Sequence, residues 1–180
     1  MRSKRGAKIL SEQRLTPKFL TRRIAENAVT AVAHLVFGGV PVKRQAFHVV
    51  VLVPSMPDER AEDYPSYPNL PIEPHVLYEH SFKKDEWPHK FDDIAKCKAL
   101  QLWHDRNDDR TDCMPHLLFA GDTPFWGGVK RRGIVVACSG LDPWVDKLVS
   151  GMVADIIVAL AHDYWVHSND KADDELCFLT

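Results

Sequence analysis

Residues 46–53 read Ala-Phe-His-Val-Val-Val-Leu-Val, a β-branched run that is apolar at nearly every position. A strand with one solvated face alternates polar and apolar residues, whereas a strand covered on both faces does not. The run predicts a central strand, and the rest of the chain must cover it. Thr16-Pro17 signals a helix start, since Thr caps and Pro fills the first turn without losing a needed N–H. Phe19, Leu20, Ile24, Ala28, Val32 and Leu35 then recur at helical spacing as far as Gly38-Gly39, which can supply a left-handed stop. Phe91, Ile94, Ala95, Ala99, Leu102 and Trp103 mark one face of a second helix, with Asp92 and Asp93 in the first turn where the helix dipole favours acids. Asp142-Pro143 repeats the cap-then-proline pattern. Val145, Leu148, Val149, Met152, Val153, Ile156, Ile157 and Leu160 continue it as the clearest amphipathic helix of the chain.

Three further strands are expected: His75 to Phe82, a short one at His116 to Ala120, and Ile134 to Ser139 after the basic turn Lys130-Arg131-Arg132-Gly133. The order is therefore α-β-β-α-β-β-α. Strand hairpins separated by helices predict an α/β (α+β) sandwich with a mainly antiparallel sheet, not a doubly wound nucleotide fold. With 180 residues, 45% hydrophobic and 27% charged, the chain suits one folded domain and is too apolar for general disorder. That domain is placed at 16–166. It is preceded by a basic arm, 1–15, and followed by an acidic tail, 167–180. Residues 1–23 hold eight Arg or Lys against the single acid Glu12. A Pro-rich loop, 54–74, carries six prolines with Tyr64 and Tyr67 and should leave the sheet.

The net charge of -2 disfavours broad nucleic-acid binding. No apolar stretch approaches the roughly 18 residues of a membrane span. The basic start lacks the apolar region of a signal peptide, and Cys97, Cys113, Cys138 and Cys177 form no C-x-x-C pair. These features predict a cytoplasmic protein with reduced, mostly core thiols.

The residues offer little ready-made chemistry. Gly38-Gly39 and Gly127-Gly128 match neither phosphate-loop spacing, and the second pair is read as permitting a bend or a close backbone approach. Nine His invite a metal reading, but the spacings are poor: His75 and His80, five apart on a strand, should face opposite sides, and His162 and His167 miss the i, i+4 spacing of helical zinc sites. Haem needs only one axial ligand and is not excluded by spacing. Cys138-Ser139-Gly140 lies at a strand-to-helix junction without the G-x-S-x-G elbow, so Ser139 and Asp142 read as caps and Cys138 as a buried apolar residue. Asp105, Asp108, Asp109 and Asp112 lack the Gly and Glu of a calcium loop and read as a solvated turn. Lys130, Arg131 and Arg132 are either exposed or neutralise an acidic ligand.

Three segments carry a family resemblance: Phe91 to Ala99, Gly121 to Val129, and Gly133 to Gly140. Together they resemble the GlcG/HbpS, or haem-degrading-domain-like, family. Its pattern is a helix with an Ala-x-x-Lys-Ala type segment, a Gly-Gly-Val-Pro-Ile turn, a strand ending in Val-Ser-Gly, and a helix containing an acid. Lys98-Ala99, Gly127-Gly128-Val129, Ser139-Gly140 and Asp146 match it residue by residue. Lys130-Arg131 stands where the family has Pro-Ile, Leu141-Asp142-Pro143-Trp144 replaces an acidic approach, and the Pro-rich excursion is long, as in a divergent branch. The resemblance spans about residues 17–165. It implies a five-stranded antiparallel sheet flanked by helices, a homo-oligomer, and in some members binding of haem or another tetrapyrrole.

The leading expectation is a small-ligand-binding oligomer, haem being one candidate cofactor. Lys98, Trp126, Gly127, Gly128, Lys130, Ser139 and Gly140 are its candidate ligand-binding residues, with apolar walls and a few polar anchors. The alternative is an interaction protein without catalysis that uses the basic arm and the Pro/Tyr-rich loop on protein partners. The third reading, an enzyme using Cys138 or a bound cofactor, ranks last because no catalytic constellation is visible, and no metal site is assigned.

Overall fold

The computed structural model describes residues 14–57, 72–107 and 115–169. Residues 1–13 of the basic arm, Tyr64 and Tyr67, Asp108, Asp109 and Asp112, Cys113 and Cys177, and residues 170–180 of the tail lie outside them. The elements are β1 (Arg14–Leu15), α1 (Arg22–Gly38), β2 (Phe47–Pro57), β3 (Glu73–Phe82), α2 (Phe91–Trp103), β4 (Gly128–Arg131), β5 (Ile134–Ser139) and α3 (Pro143–Val166).

The sheet has four antiparallel strands in the order β3-β2-β5-β4, and the two-residue β1 pairs only with Met56 and Pro57 at the far end of β2. The five full strands implied by the resemblance are therefore four. Gly140, at φ +126, turns the chain out of β5 and into α3 without another crossing of the sheet.

The continuous apolar run of β2 has the expected cause. Phe47, Val49, Val51 and Val53 pack with α1 and α3 on one face, together with Val136 and Cys138 of β5. Val50, Leu52, Val135 and Ala137 pack against Ala95, Ala99 and Leu102 of α2 on the other. Helices thus cover both faces, so successive residues of the central strands are buried.

Several boundaries differ from expectation. Helix α1 starts at Arg22, where the Thr21 hydroxyl accepts from the Ile24 N–H, and not at Thr16-Pro17. Pro17 instead opens a turn closed by the Leu20 N–H at 2.9 Å. Leu35 lies outside the buried stripe, which runs through Ile24, Ala28, Val32 and Val36. The strands β2 and β3 extend into the proline region, pairing Pro54 with Pro74 and Ser55 with Glu73. Strand β5 has its last pair with β2 at Leu52, so Pro54 can lack an N–H on that side without breaking a ladder. The expected strand at 116–120 is absent: Pro115–Leu117 is a single 3-10 turn, with Leu117 and Phe119 exposed. The strand forms at Gly128–Arg131 because the next two residues, Arg132 (φ 51) and Gly133 (φ 80), close a tight hairpin that needs its first strand immediately before it. Among the described residues no helix is long and apolar enough to cross a membrane.

Gly140 fixes this geometry. A Cβ there would lie 2.5 Å from the Ala46 carbonyl oxygen and 2.8 Å from the Phe47 Cα, at a φ that side chains rarely adopt. Gly140→Ala is expected to lower unfolding free energy by about 3 kcal/mol, read by denaturant titration. Gly121→Ala also has a positive φ but nothing within 4 Å, and should lose only about 1 kcal/mol.

Candidate functional site

Of the candidate residues, Lys98 and Gly127 meet in one place, and it is an interior one. Lys98 projects from α2 and donates to the Asp146 carboxylate of α3 at 2.9 Å and to the Cys138 carbonyl of β5 at 3.0 Å. Both side chains of the pair are buried. Asp146 also accepts from the Leu141 N–H at 3.0 Å. Gly127 and Gly128 carry the chain past this pair. A Cβ on Gly127 would lie 2.6 Å from the Asp146 Cβ, and one on Gly128 would lie 2.4 Å from the Leu102 side chain. The pair therefore serves close backbone approach, as their sequence context suggested. Ser139 ends β5 and Gly140 follows it, between the Cys138 carbonyl and the Leu141 N–H that bond the pair. Ser139 is a buried strand residue, not a helix cap; Asp142 alone caps α3, accepting from the Trp144 N–H.

The segment leading into β4 is tied to both helices. Gln101 of α2 donates to the Thr123 carbonyl and accepts the Thr123 N–H, and Ser150 of α3 donates to the Gly127 carbonyl at 2.9 Å. Trp126 is buried with its ring edge-on to Trp144, 4.7 Å between centroids. Lys130 lies apart: its ammonium bonds Asp105 at 2.7 Å and the Trp103 carbonyl at the C-terminal end of α2. That end of the helix dipole favours a cation.

Burial pushes the Asp146 carboxyl above the ordinary carboxylate range, opposed by the Lys98 ammonium. The Cys138 thiol is fully buried and held well above its ordinary value by desolvation and then by the Asp146 charge, which disfavours a nucleophilic thiolate. The cluster is a structural clamp with its hydrogen-bonding groups turned inward. Lys98→Met would leave a buried carboxylate without its counter-charge, for an expected loss of about 3–5 kcal/mol by calorimetry. Lys98→Met combined with Asp146→Asn keeps an acceptor for Leu141 and should lose clearly less.

A second polar cluster lies under α2. His48, the one polar residue in the apolar run, is buried, with Nδ1 2.9 Å from the Ser81 hydroxyl and Nε2 3.5 Å from the Glu79 carboxylate. Lys96 pairs with Glu79 at 2.8 Å. Burial raises the Glu79 carboxyl, but Lys96 and His48 outweigh it and leave it below its ordinary value. Burial lowers the His48 imidazole against the pull of Glu79, so the neutral ring is favoured in the fold. The unfolded chain then binds the proton more tightly. Stability from this residue is complete above the ordinary imidazole value of about 6.5 and falls as pH drops below it. Urea unfolding between pH 8 and pH 5 should show that decline, and His48→Gln should flatten it.

His75 and His80 face the same side, contrary to the odd-spacing expectation. They oppose Val53 and Val49, and a bulge between those pairs inserts one extra residue and resets the alternation. No group of three or more metal-ligating side chains occurs among the described residues.

Concave surface lies where the 41–44 segment meets the start of α3. A cleft of about 530 Å³ is lined by Pro41, Val42, Lys43, Arg44, Leu141, Asp142, Pro143 and Val145. A second, of about 560 Å³, shares Val42, Lys43 and Arg44 and continues to Lys83, Pro88 and Phe91. Lys43 and Arg44 are exposed and have no hydrogen-bond or ion-pair partner among the described residues. No motif singles them out in the sequence; the signal available is two adjacent cations between Pro41 and the start of the central strand. Comparison with family models, with curated proteins and with solved structures finds no match to this chain.

Proposed function

We propose that the protein is a cytoplasmic, homo-oligomeric, GlcG/HbpS-like binding protein that holds a small amphipathic anion, with a tetrapyrrole such as haem as the first ligand to test. The observation that carries this reading is the position of Lys43 and Arg44: two cations without internal partners on the shared wall of two adjacent clefts, beside apolar walls from Pro41, Val42, Leu141 and Val145. Concave apolar surface with a few convergent polar groups is the usual form of a small-molecule site. The chemistry that fits is a flat or extended apolar body bearing carboxylates. What supports the GlcG/HbpS resemblance is that three of its motif residues, Lys98, Gly127 and Asp146, come together at one buried ion pair.

Neither cleft is lined by His or Cys. Recognition here would rest on the carboxylates and the apolar body, not on an axial iron ligand from the cleft walls. Metal-free protoporphyrin should therefore bind about as tightly as haemin in an absorbance titration. Lys43→Glu with Arg44→Glu should weaken both by about tenfold or more, since each exposed cation contributes mainly through its charge. Absence of saturable binding to the unsubstituted chain would remove the tetrapyrrole reading. Binding unaffected by the charge reversals would move the site elsewhere.

A further inference from the structure

Helix α3 packs on the sheet and against α1, yet the side turned away from both still carries large apolar residues. Asp146, Val149, Ser150, Val153, Ala154 and Ile157 face inward. At 100° per residue this places Trp144, Leu148, Gly151 and Asp155 on the outward side, with Val158 at its margin, half-buried against the core. Trp144 and Leu148 are 64% and 48% exposed. Exposed large apolar side chains on one helix face ordinarily mark a contact surface. Gly151 sits in mid-helix, where glycine weakens the helix, and a Cβ added there meets nothing within 4 Å. Among the described residues no contact accounts for it. A missing side chain at the centre of an apolar helix face does allow a second helix to approach closely.

We infer that this outward face binds the same face of a second copy, with the two α3 helices antiparallel and crossing at Gly151. In such a pair each residue before Gly151 meets the residue equally far after it. Lys147, four positions before, comes to Asp155 of the partner subunit, and the two-fold axis repeats that contact. Trp144 comes to Val158 of the partner subunit. A parallel pair would instead oppose like charges, Asp155 against Asp155 of the partner subunit, so charge selects the antiparallel arrangement. Asp155 is 69% exposed at its side chain and 3.6 Å from Arg131 Nε, which leaves it open to a second cation. The inference rests on the self-association part of the proposed function, gives it a surface, and is independent of the ligand.

The test is light scattering across a dilution series, with circular dichroism as a check of folding. The unsubstituted chain is expected at twice its 20.5 kDa mass. Lys147→Glu and Asp155→Lys should each raise the dissociation constant about tenfold, and the two together should return it to within about threefold of the starting value. Gly151→Leu should give a single-chain mass with a melting temperature no lower than the parent, because the monomer has room for the side chain. Self-association that none of these substitutions alters would overturn the α3 assignment while leaving the oligomer in place. A chain that stays at single-chain mass at every concentration would overturn both.

Discussion

The Lys98–Asp146 pair joins two helices that lie on opposite faces of the sheet. Helix α2 covers the Val50 and Leu52 side of β2, and α3 covers the Val49 and Val51 side. Their side chains can meet only around the end of the sheet, where β5 finishes and β4 begins. Much of the local structure follows from that meeting. The entering chain passes against Asp146 at Gly127 and against Leu102 and the Val136 carbonyl at Gly128, where a Cβ would clash. The leaving chain must turn at Gly140 against the Ala46 carbonyl. Gln101 and Ser150 then hold the entering segment to both helices. A buried charge pair is only marginally stabilising against a well-packed apolar alternative, but it is severe on any arrangement that separates its partners. Its role here is consistent with fixing the relative position of the two helix layers.

That arrangement also decides where chemistry can occur. A cluster whose donors and acceptors are satisfied internally, and whose thiol is held protonated by burial, has little left to offer a ligand. Lys43 and Arg44, two exposed cations without internal partners among the described residues, stand just before the Ala46–Phe47 segment that Gly140 packs against. None of the motif residues lines either cleft; Leu141 to Pro143, where the chain departs from the family pattern, do line the first.

The secondary structure was legible where one physical signal dominated. The unbroken apolar run of 46–53 announced a strand covered twice, and Asp142-Pro143 marked the start of α3 to the residue. It was misread where two signals competed. Thr16-Pro17 and Thr21 both offer a cap, and the chain uses the second because Pro17 is taken up in a turn. His116 to Ala120 has strand-like composition, but the two-residue hairpin at Arg132-Gly133 requires the strand at Gly128–Arg131. Of the candidate residues, Lys98 and Gly127 come together, at the buried pair with Asp146 and not at an open cleft. The nature of that site was not legible, because spacing along a chain carries no information about which side of a cluster faces water.

The sequence by itself determined the α-β-β-α-β-β-α order, the two-sided burial of the central strands and the glycine positions where backbones must approach, because each depends on local periodicity or on the absence of a Cβ. Only the tertiary structure decided that His75 and His80 share a face, since a single bulge in the β2–β3 ladder reverses the alternation. It alone placed Lys98 against Asp146 across the sheet end, Lys130 against Asp105, and Lys43 with Arg44 at the clefts. Those are contacts between residues far apart in the chain, and they are set by how the layers pack, not by any pattern along it.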